Sequence, residues 1–167
     1  KFILALGTSC HVFESQIDPD DECELNFKLV DELFDIEIIQ ISGTYDHVFA
    51  VAKDGRVFGR GDNKFGQLAM GKNVESVDRF TEVVSLLKYQ IKYISAGAFH
   101  SLFQTSEGKV LACGNNLLGQ LPLSNGLKKK LVHTPVETIF TENSTFCIAG
   151  VGETAIFIGL PPPLTTP

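Results

Sequence analysis

Two histidines stand fifty-three positions apart, His47 and His100, each at the start of a run rich in apolar residues. Imidazoles at matched positions could ligate a metal or act as bases. Each instead precedes an expected strand beside a backbone-dense turn, where a histidine is expected to hydrogen-bond backbone groups and tie neighbouring strands. Two repeat units hold them too far apart to share a metal. His11 and His133 have no partner within sequence reach. The loop Gly61-Asp62-Asn63-Lys64-Phe65-Gly66 could cradle a phosphate, but it has the glycines of neither a P-loop nor a dinucleotide fingerprint, and no Lys-Ser/Thr follows. Its recurrence at Gly114 makes it a repeat turn, with Gln67 and Gln120 satisfying loop backbone. Asp18-Pro19-Asp20-Asp21-Glu22 could hold calcium but lacks the loop glycine and terminal bidentate glutamate of such sites. It reads as a solvated loop, as does the short basic run Lys128-Lys129-Lys130. Cys10, Cys23, Cys113 and Cys147 form no C-x-x-C pair and read as reduced thiols. Asn143-Ser144-Thr145 fits a glycosylation acceptor, which a cytoplasmic or nuclear protein would not use. Spacing supports no Ser-His-Asp or paired-carboxylate arrangement. The expectation is a segment without catalytic, cofactor-binding or metal residues.

Those residues must be positioned by something, and composition narrows what. The chain has 167 residues, 44% of them apolar and 20% charged, with a mean hydropathy of +0.12. This is a globular balance, with no apolar run near the roughly 20 residues of a membrane-spanning helix. With 14 basic and 20 acidic side chains the net charge is −6, which excludes nucleic-acid binding through overall charge. Fifteen glycines beside thirteen phenylalanines point to short strands and tight turns. The opening Lys1–Gly7 reads as a strand ending in a glycine turn, and the absent initial methionine as the mark of an excerpt.

The chain repeats itself. ISGTYDHVFAVAKDGRVFGRGDNKFGQL, Ile41 to Leu68, meets ISAGAFHSLFQTSEGKVLACGNNLLGQL, Ile94 to Leu121, at an offset of 53 without a gap. Ten positions are identical, where chance gives roughly one or two. Such a period suits a β-propeller blade. A weaker copy places Thr145 at the histidine position, Glu153 at the turn glycine and Gly159 at the later glycine. A half-copy sets Ile3–Gly7 against Val57–Gly61. Within a unit, Val48–Ala52 reads as a strand and Lys53-Asp54-Gly55-Arg56 as a two-residue hairpin turn with positive φ at Asp-Gly. Val57–Gly59 reads as the partner strand, broken at Gly61-Asp62-Asn63. Phe80–Leu87 and Ile91–Ser95 complete four strands per blade. Strands are preferred to helix over Glu75–Leu87 and Asp31–Ile39 on their Val, Phe, Thr and Ile content.

The run Gly97-Ala98-Phe99-His100-Ser101-Leu102, then Glu107-Gly108-Lys109-Val110, Gly114-Asn115-Asn116 and Gly119-Gln120-Leu121, resembles the repeat of regulator of chromosome condensation 1, the RCC1 repeat. His47, Asp54-Gly55-Arg56-Val57, Gly61-Asp62-Asn63 and Gly66-Gln67-Leu68 repeat it. Ala69 and Pro122 depart from the family, which usually has glycine there. The resemblance implies an all-β propeller, commonly seven-bladed, of which this chain builds about three blades of four short antiparallel strands at about 50 residues each. The expected domain covers 1–160, with repeats at 36–88 and 89–138, degenerate partial repeats at 1–35 and 139–160, and a proline-rich tail or linker at 161–167. Glu14–Glu24 and Asn125–His133 are expected surface insertions. The resemblance implies a protein-interaction module completed by further blades from the same or another chain, and the reduced thiols suit a cytoplasmic or nuclear compartment. The alternatives are guanine-nucleotide exchange on a Ran-like small GTPase and, less favoured by the acidic balance, chromatin binding. No cofactor and no membrane contact are expected.

Overall fold

The computed structural model describes residues 2–16, 25–124, 129–140, 146–151 and 154–159. The strands are β1 (Phe2–Leu6), β2 (Val12–Gln16), β3 (Lys28–Leu29), β4 (Ile38–Gly43), β5 (His47–Ala52), β6 (Val57–Asp62), β7 (Ser76–Glu82), β8 (Ile91–Ala96), β9 (His100–Thr105), β10 (Val110–Asn115), β11 (Leu131–Glu137), β12 (Phe146–Val151) and β13 (Thr154–Gly159). They form antiparallel sheets in the orders β1-β2-β3, β4-β5-β6-β7, β8-β9-β10-β11 and β12-β13, here sheets I to IV. Among the described residues, two four-stranded blades are thus flanked by sheets of three and two strands. The architecture is an all-β partial propeller.

The first strand of blade II is β4, whereas Ile91–Ser95, expected as its fourth, opens blade III as β8. The expected strand Phe80–Leu87 divides: β7 ends at Glu82 and Val84–Leu86 is a 3-10 helix. Asp31–Leu33 is a second 3-10 helix, and β4 begins only at Ile38. The reason is the spacing of buried residues. Val30 and Leu33, then Val83 and Leu86, are buried three apart, which one 3-10 turn achieves and a strand does not. β6 continues through Gly61 to Asp62 with a register shift between Gly59 and Gly61, so the expected break is a bulge. Glu14 lies in β2 and His133 in β11, not in insertions.

The hairpin turns also differ from expectation. The Gly55 N–H donates to the Ala52 carbonyl at 2.9 Å and the Ala52 N–H to Arg56 at 2.9 Å. Gly55 alone has positive φ, +89°. This is a three-residue loop closed by a left-handed glycine. Thr105–Lys109 repeats it around Gly108, φ +87°. So does Gly7–His11, where Cys10 takes the glycine's place at φ +64°. That pattern makes β1 the equivalent of β5, one strand earlier than the expected pairing of Ile3–Gly7 with Val57–Gly61.

The closing copy is re-registered too. Ile148 pairs with Phe157 and Gly150 with Ala155, as Ile94 pairs with Phe103 and Ala96 with Ser101. β12 packs against β8 and β9 as β8 packs against β4 and β5. Thr154, not Thr145, therefore stands where His100 stands. Thr145 lies outside the described residues.

Two apolar clusters fill the seams. Val12, Leu33, Ile38, Val48 and Phe58 lie between sheets I and II. Phe49, Leu68, Leu102, Phe103 and Leu111 lie between II and III, where the Phe49 and Phe103 rings meet edge to face at 5.4 Å. Full burial of each such side chain is worth about 1.5–3 kcal/mol.

Candidate functional site

The seam between sheets II and III carries the polar chemistry. Gln40 accepts the Ile94 N–H at 2.9 Å and donates to the Ile94 carbonyl at 2.8 Å. The Ala96 N–H donates to Ser42 Oγ at 3.1 Å. His47 Nε2 meets Ser101 Oγ at 2.9 Å, and that hydroxyl donates to the Gln67 carbonyl at 2.8 Å. A carbonyl only accepts, so the one Ser101 proton goes to Gln67. His47 must then donate from Nε2, leaving Nδ1 to accept from Thr44 Oγ1 at 3.3 Å. His47 is a buried neutral imidazole. Burial pushes its pKa down to about 4, with His100 adding to the shift and Asp62 opposing it.

His100 has the same repeat position and different neighbours. Its ring is fully buried, and neither nitrogen has a hydrogen-bond partner among the described residues. Gly97 replaces Thr44, and Ala155 replaces Ser101, so both hydroxyls are missing by sequence. The ring lies over Gly97, where any Cβ would overlap it. Burial also lowers the His100 pKa. The expectation that both histidines bond backbone is corrected: His47 bonds two hydroxyls and ties blades together, whereas His100 bonds neither.

The glycine-rich loops are stapled by their own amides. Asn63 donates to the carbonyls of Gly71 and Val74, at 3.0 and 2.6 Å, and accepts from Leu68 N–H at 2.9 Å. Gln67 accepts the Phe65 N–H at 3.0 Å. Asn116 and Gln120 repeat these bonds to Lys129, Leu121 and Leu118. The expected turn role of Gln67 and Gln120 matches these bonds. Ala69 adopts φ +59°, a left-handed conformation that favours glycine. Cys113 is fully buried, with Sγ 3.4 Å from the Gln67 carbonyl, and burial raises its pKa. Among the described residues no three His, Cys, Asp or Glu side chains are placed to hold a metal. Asp18–Glu22, Cys23, Lys128 and Asn143–Thr145 lie outside the described residues.

The two loop faces differ. The hairpin face carries ion pairs, Lys53–Glu37 at 2.7 Å, Arg56–Asp54 at 2.8 Å, and the matched pairs Arg56–Glu82 and Lys109–Glu137, both at 3.9 Å, beside exposed Phe34, Val84 and Leu87. The opposite face, formed by the β4–β5, β6–β7, β8–β9 and β10–β11 connections, presents apolar groups. Tyr45 is 89% exposed, Leu118 77% and Leu117 57%. Phe65 and Phe99, from adjacent blades, stack edge to face at 5.4 Å. Between sheets I and II, Arg60 pairs with both oxygens of Glu14 beneath a cleft of about 470 Å3, its guanidinium 4.6 Å from the Phe2 ring centre. Spacing alone did not identify Gln40, Ser42, Thr44 or Ser101. Ser42 alone of the first three recurs in the repeat, as Ser95; Gln40 and Thr44 meet Tyr93 and Gly97.

The Regulator of chromosome condensation (RCC1) repeat matches residues 38–67 and 91–120 in one form and 54–104 in another. The chain belongs to the RCC1-repeat family. Its RCC1-repeat relatives include Probable E3 ubiquitin-protein ligase HERC4 of Mus musculus, 30% identical over 135 residues, 81% of this chain and 13% of that protein. Secretion-regulating guanine nucleotide exchange factor of Bos taurus is 34% identical over 102 residues, 61% of this chain and 22% of that protein. The chain therefore spans less than a quarter of the length of these relatives. Among solved structures, human WBSCR16 superposes with a TM-score of 0.74 at 17% identity, covering 95% of this chain and 42% of that one. Prp20p of Saccharomyces cerevisiae, whose structure was described with its binding to Gsp1p and histones, superposes at 0.75 and 14% identity, covering 95% and 41%. These two likenesses show the RCC1 fold.

Proposed function

We propose that this RCC1-repeat segment is a non-catalytic protein-interaction module whose partner sits on the face bearing Tyr45, Phe65, Phe99, Leu117 and Leu118. The observation that carries it is exposed Tyr45, Leu117 and Leu118 beside the part-buried Phe65–Phe99 pair, with the loops bearing Phe65, Leu117 and Leu118 braced by Asn63, Gln67, Asn116 and Gln120. Rigid loops with exposed aromatic and aliphatic tips are how such scaffolds bind proteins. The test is crosslinking from a photoreactive group at position 64, beside the patch, with and without Tyr45→Ser and Leu118→Ser. Specific adducts that vanish in these variants, while the thermal melt is kept, support the reading. Adducts unaffected by both overturn it.

The second reading is guanine-nucleotide exchange on a Ran-like small GTPase, supported by the exchange factor among the relatives and by the Gsp1p-binding neighbour. Release of a fluorescent guanine nucleotide from the GTPase, accelerated by about tenfold or more, would favour it. Chromatin binding ranks third, because the net charge of −6 opposes phosphate contacts. A salt-dependent DNA shift would raise it. A cytoplasmic or nuclear site of action goes with all three.

A further inference from the structure

We propose that the partner segment taken by the face bearing Tyr45, Leu117 and Leu118 is acidic, with carboxylates beside leucine- or phenylalanine-type anchors. The inference rests on the reading of that face as a protein-binding surface and adds the chemistry of the partner. The two faces of the chain treat their cations in opposite ways. On the hairpin face Lys53, Arg56 and Lys109 each pair with a carboxylate, Glu37, Asp54 and Glu107. On the opposite face Lys64, Lys72, Lys129 and Lys130 are exposed, and none has an ion-pair partner among the described residues. The β10–β11 connection, Asn116–Lys130, contains no Asp or Glu. Asp62 is turned into its own loop, accepting the Lys64 N–H at 3.2 Å and the Gln67 amide at 3.4 Å. Asp46 and Glu75 remain as the exposed carboxylates of these connections. A chain of net charge −6 thus keeps uncompensated positive charge around its exposed leucines.

Packing gathers these groups into one strip. The Asn116 carboxamide donates to the Lys129 carbonyl at 2.8 Å, and the Asn116 N–H donates to the Lys130 carbonyl at 2.8 Å. The backbone of both lysines is thereby fixed beside Leu117, with exposed Leu131 next in the chain. From sheet II, the Gly71 N–H donates to the His133 carbonyl at 3.0 Å. Gly66 lies so close to Val132 and His133 that a Cβ would overlap them. The β6–β7 loop, carrying Lys64, Phe65 and Lys72, is therefore seated on the start of β11. A single exposed ion pair is worth little. Several pairs beside apolar anchors that exclude water are worth more, and they select the sign of the partner. Screening confines the attraction to about 8 Å, so a short acidic segment matches the strip. A nucleic-acid duplex or an anionic bilayer extends beyond it and meets the negative remainder of the chain.

The test is selection of a random displayed peptide library on the 167-residue chain, followed by fluorescein labelling of enriched peptides and titration by anisotropy. Enriched peptides are expected to carry Asp or Glu next to Leu or Phe. Their affinity should fall at least about tenfold between about 0.05 and 0.5 M salt. Lys129→Glu combined with Lys130→Glu should weaken binding at least about tenfold, as should Leu118→Ser. The control is Lys88→Glu combined with Lys92→Glu, the same change in net charge on the hairpin side, where the Gln90 carbonyl accepts the Ser106 N–H at 2.8 Å. It should alter affinity less than about twofold. All these side chains but Leu118 are free of side-chain hydrogen bonds and exposed, and a thermal melt verifies that each variant folds. No enrichment, enriched peptides without acidic residues, or equal losses in the two charge-reversed variants overturn the proposal. Tighter binding of duplex DNA or of phosphatidylserine vesicles than of the acidic peptides also overturns it. Photo-adducts from position 64 that vanish in Tyr45→Ser and Leu118→Ser, yet persist when Lys129 and Lys130 are both reversed, leave the interaction face standing and sink the acidic partner alone.

Discussion

His47→Phe and His100→Phe remove the same ring from the same repeat position, and the surroundings assign them opposite outcomes. His47 donates to Ser101 and accepts from Thr44, deep in the seam between sheets II and III. Phenylalanine there leaves the buried Ser101 oxygen without its incoming proton and Thr44 without its acceptor. The unmet buried Ser101 oxygen costs about 1–3 kcal/mol, whereas the part-buried Thr44 hydroxyl turns to water. Part is offset because the ring is still filled and Ser101 still donates to Gln67. The net expectation is a loss of about 1–2 kcal/mol. His100 has two nitrogens without described partners, so phenylalanine removes an unmet polar group at nearly constant volume and should be neutral or stabilising by about 1 kcal/mol. The assay is urea unfolding of both variants with the m-value checked for constancy. Adding Ser101→Ala to His47→Phe should cost less than the sum of the two single changes by at least about 1 kcal/mol. Equal effects of the two histidine substitutions, or strict additivity of the His47–Ser101 pair, would refute the reasoning.

Three other outcomes follow from the same geometry. The folded His47 has a pKa of about 4 against 6.5 for the free group, so the unfolded chain binds the extra proton. Stability is therefore full above about pH 6.5 and falls toward pH 4 by about 3 kcal/mol; unfolding midpoints across that window should lose this slope in His47→Phe. Cys10→Gly relieves a left-handed non-glycine residue at a hairpin turn and should raise stability by about 1 kcal/mol in thermal unfolding. Gly97→Ala forces a Cβ into the His100 ring and should cost about 2–3 kcal/mol, with most of the loss absent when His100→Ala is also present.

The period, the central strands and the turn chemistry were legible because they are local. An Asp-Gly or Glu-Gly between apolar runs marks a hairpin wherever it occurs. The loop amides Gln67 and Gln120 were legible because their bonds close within a few residues. The 3-10 helices were not, because a three-residue turn leaves no period to count: Val84-Ser85-Leu86 offers the same β-branched and apolar residues as a strand. The terminal registers were lost where the marker residue changed, with Cys10 for glycine at one end and Thr154 for histidine at the other. The seam was invisible for a different reason. Ser101 is an ordinary serine in a strand, and its role exists only because a neighbouring blade brings His47 and the Gln67 carbonyl to it.

The side-chain bonds across that seam join distant positions: fifty-four apart for Gln40 to Ile94, Ser42 to Ala96 and His47 to Ser101, and thirty-four for Ser101 to Gln67. The ladders inside each sheet join strands adjacent in the chain. Short closures form early, and distant ones wait until their sheets exist. The seam is therefore a late lock. Loosening it should shorten the lifetime of the folded state and leave the speed of its arrival almost unchanged.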